Sequence, residues 1–203
     1  MLTAGHPTRG NESPTRDALR AATREIHVRV ERRSHLGSSS LTRKAYLDAL
    51  RGMLAAYTVL EDRIACHATA LVECGIHWAS HRKVPWLRAD LATLGESTPI
   101  VSPADAPRMD TVADALGCMY VMEGATLGGA VIRRHVLQAL QIGPETGARF
   151  FASYGDAVGV RWRAFCSALE LGVRDEVSRQ RAATSAVAAF AWIERCTTAN
   201  EGE

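Results

Sequence analysis

The stretch YVMEGATLGGAVIRRHV, residues 120–136, has the apolar and charged spacing of a long helix yet carries Gly124, Gly128 and Gly129. An interior glycine costs about 1 kcal/mol relative to alanine, so the three together cost about 3. On a helix, Gly117, Val121, Gly124 and Gly128 share one face, and Gly129 widens it. Two gains could offset that cost. A second helix can approach a strip of small residues closely, or a flat ligand can lie on bare backbone where any Cβ would clash. Adjacent glycines also let a helix bend.

Working outward, the spacing predicts one helix over residues 108–141, stopped by GPETG. Residues 1–14, rich in Gly, Pro, Ser and Thr, are expected to be a disordered tail. From Thr15 to Arg33, Leu19, Ala22, Ile26 and Val30 form a stripe with a period of 3.6. A helix follows Leu41 and continues past Cys66 with a break, and a shorter one spans 84–94 and ends at Gly95. GESTPIVSPADAP, with three prolines, is expected to be a long loop. Two further helices are predicted, over 144–171 with an interruption near Gly155 and over 173–197. No sustained period-2 alternation occurs. The fold class is all-α, a single compact helical domain over residues 15–198.

At 203 residues and 47% apolar, the chain can bury a sizeable core, and no apolar run suggests a membrane span. A formal charge of +2 gives no support for nucleic-acid or bulk membrane binding. Five scattered cysteines without a C-x-x-C pair fit neither a disulfide framework nor a zinc site. MLTAGHPTRGNESPT has no apolar core of a secretory signal, so the expected location is cytoplasmic.

In LRAATREIHVRVE, residues 19–31, Arg20, Arg24, His27 and Glu31 are spaced four, three and four apart and share one narrow face beside the apolar stripe. One reading is a solvated polar face with an incidental histidine. The other is a ligand site. A neutral imidazole binds a metal through one nitrogen while a carboxylate such as Glu31 orients the other. Arg20 and Arg24 could then receive anionic groups on the same molecule. A heme offers both, an iron that needs an axial base and propionates that need cations. His77 and His81 have the i, i+4 spacing of a zinc chelate, but no accompanying H-E-x-x-H glutamate, and are read as surface or packing residues. His67 and His135 are expected to cap or line polar edges. Arg133 and Arg134 suit the second half of their helix or a basic surface for an acidic electron donor. The tryptophans and phenylalanines are read mainly as core.

Two stretches together resemble a known family. LRAATREIH resembles the proximal-helix motif of heme oxygenases, and GATLGG their glycine-rich distal helix. YVMEGATLGG followed by FFASYGDAVGVRWRAF, residues 150–165, looks most like the bacterial branch associated with bacteriophytochromes. The resemblance implies an all-helical fold that clamps heme b, both cofactor and substrate, between those helices. It implies oxidative opening of the ring to biliverdin, CO and ferrous iron with O2 and an external reductant, a reductase or ferredoxin. It makes His27 the axial ligand of the iron, Glu31 its orienting carboxylate, and Gly124, Gly128 and Gly129 the distal roof. Arg20, Arg24, Thr23, Ala125, Arg163 and Phe190 would contact the heme, and a bacteriophytochrome could receive the bilin. One position departs from the pattern. Many members carry an aspartate where this chain has Ala125, and that side chain organises water near the reacting oxygen. The departure keeps a second expectation in play, a heme carrier or sensor of the same fold without turnover.

Overall fold

The computed structural model describes residues 13–38, 40–96 and 105–198. The expectations for residues 1–12 and for 97–104 at the centre of the proline-rich loop lie outside them. Among the described residues every regular element is helical: α1 (Pro14–Arg33), α2 (Arg43–Ala65), α3 (Ala68–Glu73), α4 (Val84–Thr93), α5 (Val112–Leu140), α6 (Arg149–Ala152), α7 (Val158–Gly172) and α8 (Glu176–Thr198). Short 3-10 turns connect them at His35–Gly37, Trp78–His81, Pro144–Thr146 and Gly155–Ala157.

α8 is the spine of the packing. Its sequence, AATSAVAAFAW, presents Ala182, Ala183, Ser185, Ala186 and Ala189 to the interior, and these small residues let α1, α2 and α5 all pack against it. The approach is close enough to exclude a Cβ at two glycines. A Cβ on Gly117 of α5 would lie 2.1 Å from the Ala182 carbonyl oxygen, and one on Gly52 of α2 would lie 2.6 Å from that of Cys196. Trp192, fully buried, donates from Nε1 to the Ala56 carbonyl at 3.2 Å and ties α8 to α2. At the start of α5, Thr111 and Asp114 form a reciprocal capping box, and Asp114 also accepts from Arg181 of α8 at 2.6 Å.

α5 is one continuous α-helix through all three glycines. Its first half, Ala113–Glu123, is almost entirely buried, whereas beyond Gly124 most positions face outward. It is also the one described helix long and apolar enough to cross a membrane, with a mean hydropathy of 1.4 over eighteen residues, which corrects the expectation that no run qualifies. Burial of the first half at the centre of the fold accounts for that apolarity. The expected helix over 144–171 is subdivided more than predicted. Gly147, Ser153 and Gly155 take φ of 122°, 49° and 57°; Gly147 follows the Pro144–Thr146 turn, Ser153 ends α6, and Gly155 opens the Gly155–Ala157 turn.

Candidate functional site

α1 is fixed at both ends. At its start the backbone N–H groups of Thr15 and Arg16 donate to the Glu170 carboxylate of α7 at 3.2 and 3.1 Å, satisfying donors that a helix N-terminus leaves free. Near its end Arg29 forks onto Glu194 of α8, with Nε–Oε1 at 2.9 Å and Nη2–Oε2 at 2.8 Å, and Arg33 adds a contact at 3.2 Å. The hydrogen bond from Arg29, with the charges of Arg29 and Arg33, outweighs burial and holds the Glu194 carboxyl below the usual carboxylate range. Between these anchors Leu19, Thr23 and Ile26 are buried, while Arg20, Arg24, His27 and Glu31 form the exposed face that their spacing predicted.

His27 is built as a ligand would be. Its side chain is 53% exposed, and its Nδ1 lies 3.7 Å from Glu31 Oε1, too long for a direct hydrogen bond but close enough to orient the ring. Phe190 of α8 braces the imidazole edge-on, with centroids 5.5 Å apart and planes at 88°.

Two contacts join α1 and its following turn to α5. Tyr120 of α5 is close enough to Thr23 and Arg20 of α1 for both to moderate the rise that burial gives its phenol, and fifteen positions further along each segment the His135 ring nitrogen Nε2 lies 2.6 Å from the Ser38 carbonyl oxygen. The two helices therefore run alongside in the same direction, which sets His27 about level with Gly124 and Glu31 about level with Gly128. Between those contacts they pack on α8 and α7 and barely on each other. A Cβ on Gly128 would meet nothing within 4 Å, and Ala125 is exposed. Leu127 and Val131, apolar yet 45% and 70% exposed, stand on the same outward half of α5. An imidazole, the cations of Arg20 and Arg24 and an uncovered apolar surface suit a flat, amphipathic, anionic ligand. A separate cavity of about 430 Å³ among α1, α2 and α8, lined by Val30, Met53 and Ile193, holds none of the expected site residues.

Not every expected residue faces that interval. Gly129 is turned from it; a Cβ there would sit 2.7 Å from the Phe151 carbonyl oxygen, so this glycine lets α6 approach α5. Thr23 is buried in the seam, where its hydroxyl donates back to the Leu19 carbonyl at 2.8 Å. Arg163 is exposed, with Nη1 folded back to 3.6 Å from the position of a Gly159 Cβ. Two residues read as core or left unread line the end of the interval. Trp162 lies 3.8 Å from where a Gly124 Cβ would be, and its ring tilts against Tyr120 at 5.7 Å. Burial pushes the Tyr120 phenol up, and Thr23, Arg20 and Arg16 moderate the shift, which places Arg20 near this end. His67 and His135 each meet a backbone carbonyl, as expected, whereas His81 is buried against Glu123 behind α5.

A model of the heme oxygenase family matches residues 14–198. The chain belongs to the heme oxygenase family. It is 32% identical over 164 residues to a heme oxygenase of Xanthomonas campestris, covering 81% of this chain and 95% of that one. It is 31% identical over 112 residues to the heme oxygenase PigA of Pseudomonas aeruginosa, covering 55% and 56% of the two chains. The fold is similar to that of the NO- and CO-bound heme oxygenase of Neisseria meningitidis, with a TM-score of 0.81 at 23% identity over 93% of this chain and 92% of that one. It is also similar to heme oxygenase-1 of the cyanobacterium Synechocystis, solved in complex with heme, with a TM-score of 0.74 at 16% identity and the same coverages. The all-α heme oxygenase fold is thus shown, and the family consists of enzymes.

Proposed function

We propose that this heme oxygenase holds heme b in the interval between α1 and α5, with His27 Nε2 as the axial ligand of the iron. Heme is the substrate as well as the cofactor, opened to biliverdin, CO and ferrous iron at the expense of O2 and external electrons. The observation that carries the assignment is the register of the two helices. It sets an exposed imidazole, oriented by Glu31 and braced by Phe190, level with the bare backbone of Gly124.

Each residue then has a definable task. Glu31 draws Nδ1 of His27 and so leaves Nε2 to the iron. Arg20, Arg24 and Arg163 supply cations for two propionates, and whichever of them engage fix the rotation of the ring and the meso position that is cut. Gly124 and Gly128, which bring no side chain to that face, would let the backbone of α5 lie over the heme and limit what can bind on its distal side. With Ala125 in place of a carboxylate, polarity on the distal side has to come from backbone and ordered water, and Thr126 does not supply it, because its hydroxyl donates to the Glu123 carbonyl at 2.7 Å. A reductase or ferredoxin would deliver the electrons at a basic surface that includes Arg133 and Arg134, both exposed. Five cysteines that are all free support work in a reducing cytoplasm. The likeness of YVMEGATLGG to the bacteriophytochrome-associated branch supports bilin supply to such a photoreceptor.

Titrating the purified protein with heme is expected to give a one-to-one complex with a histidine-type Soret band, and reductant in air is expected to bleach it to biliverdin. A Soret band that persists as ferric or oxy heme would instead identify a carrier. Failure to form any complex would reject the site.

A further inference from the structure

Behind α5, on the side away from the proposed heme, the segment 81–83 and Tyr154 meet one carboxylate of α5, and α2 and α7 fix those partners from outside. Glu123 Oε1 accepts from Lys83 Nζ at 2.5 Å and from the Tyr154 hydroxyl at 3.1 Å, and His81 Nδ1 lies 3.1 Å from it. Lys83 Nζ also donates to the His81 carbonyl at 3.0 Å and to the Tyr154 hydroxyl at 3.3 Å. The segment that carries Lys83 is itself fixed to α2, because Glu61 Oε1 accepts from the backbone N–H of Lys83 at 2.5 Å and of Val84 at 2.9 Å. Arg82 Nε closes on the other Glu61 oxygen at 3.0 Å. From α7, Arg161 stacks over the Tyr154 ring at 4.2 Å and donates to the Ser80 carbonyl at 2.7 Å. Lys83 and Glu123 are each only 2% exposed.

Stability alone does not account for this cluster. Exchanging a buried ion pair for apolar residues of similar size is often neutral or stabilising. What such a pair does provide is direction. Apolar contact tolerates sliding, whereas a carboxylate oxygen held by several polar groups has one position. Glu123 immediately precedes Gly124, and at 3.6 residues per turn it points about 140° around α5 from Gly128, opposite the open face. The front of the helix has little to hold it there. A Cβ on Gly124 would meet only the edge of the Trp162 ring at 3.8 Å, and one on Gly128 would meet nothing within 4 Å.

Resting on the heme oxygenase reading above, we infer that Glu123, gripped by Lys83, His81 and Tyr154, is a positioning residue that sets the distance of the Gly124–Gly128 backbone from His27. It acts through that backbone and does not touch the substrate. Turnover would depend on this distance because that backbone would bound the distal side of the heme, where a displacement of about 1 Å can cost on the order of a hundredfold in rate.

The test is the paired substitution Lys83→Met with Glu123→Gln, which removes both charges together and leaves an acceptor for Tyr154 and His81. Glu123→Asp accompanies it, keeping the charge but drawing the carboxylate back. In the apo-protein, amides of residues 124–128 are expected to exchange faster in the paired variant while those of α2 and α8 keep their wild-type rates. Its heme complex is expected to keep the one-to-one histidine-type Soret band, to show a shifted acid–alkaline transition of the ferric form, and to turn over between about tenfold and a hundredfold more slowly. Glu123→Asp should fall between the two. Wild-type exchange at 124–128 with wild-type turnover would overturn the inference. So would faster exchange spread evenly over all helices with an unmoved acid–alkaline transition, since that describes stability only. If the wild-type protein itself fails to convert heme, the functional reading fails, and the apo-protein exchange still decides whether the cluster positions α5.

Discussion

At the scale of single residues, the polar face of α1 was legible because i, i+3 and i, i+4 spacing survives folding unchanged: Arg20, Arg24, His27 and Glu31 are exposed together. Glu123 was not legible, because its partners Lys83 and Tyr154 are 40 and 31 positions away and only the tertiary packing brings them together. His81 illustrates the same limit. It was read with His77 as a surface or packing residue, and His77 is indeed exposed and His81 packed, but the carboxylate that His81 meets lies 42 positions away. His27→Ala is expected to abolish the histidine-type Soret band and turnover without lowering the melting temperature, since the imidazole is more than half exposed. An unchanged heme spectrum would reject the ligand assignment. Glu31→Gln should weaken heme binding by no more than about fivefold, equivalent to roughly 1 kcal/mol, because the contact is exposed and long. A heme titration checks both.

At the scale of elements, helix positions followed from apolar periodicity, and after α5 the break near Gly155 was legible too, whereas those at Gly147 and Ser153 were not, because they depend on positive φ angles that the apolar spacing does not announce. The glycines of α5 look alike in sequence and differ in role. Gly117 and Gly129 admit the backbones of α8 and α6, Gly124 rests against Trp162, and Gly128 faces open space. Close packing thus accounts for Gly117 and Gly129, and the ligand explanation is left to Gly124 and Gly128. Gly128→Ala is expected to raise the apo-protein melting temperature by about 2–4 °C, since it recovers roughly 1 kcal/mol of helix propensity at an unobstructed site. Its heme affinity should fall. Gly129→Ala should instead cost about 1–3 kcal/mol, because its new methyl group would meet a carbonyl oxygen 2.7 Å away. Thermal melts of the two apo-proteins side by side measure this contrast.

At the scale of the whole molecule, four carboxyls couple the fold to pH, three held low and one raised. Burial would push the Glu123 carboxyl up, but His81 and Lys83 outweigh it and hold it low. Asp114 is likewise held low against its burial by Arg181 and Thr111, and Glu194 is held low chiefly by the hydrogen bond from Arg29. Asp90 acts in the opposite sense, raised by burial despite the N–H groups of Phe150 and Arg149. A folded-state value below the unfolded one contributes stability that is present above about pH 4 and lost as pH falls through the folded value. Urea midpoints should therefore be nearly level from about pH 7 to 5 and drop below about pH 4, and Glu194→Gln should flatten that drop. The family and fold were accessible from motifs alone, because the two helices that define the site each carry a local signature. How they are spaced was not, because α8 sets that spacing through small residues that only packing reveals. The unequal burial of α5 has a thermal corollary. Its outer half is held by the approach of α6 at Gly129, the buried Thr126 and Val136, the half-buried Ile132 and Leu140, and the His135–Ser38 link, while Leu127, Val131 and Leu137 stay open to solvent. A heme seated against that half would shield apolar side chains that water now meets, so the loaded protein is expected to melt at a higher temperature than the apo-protein.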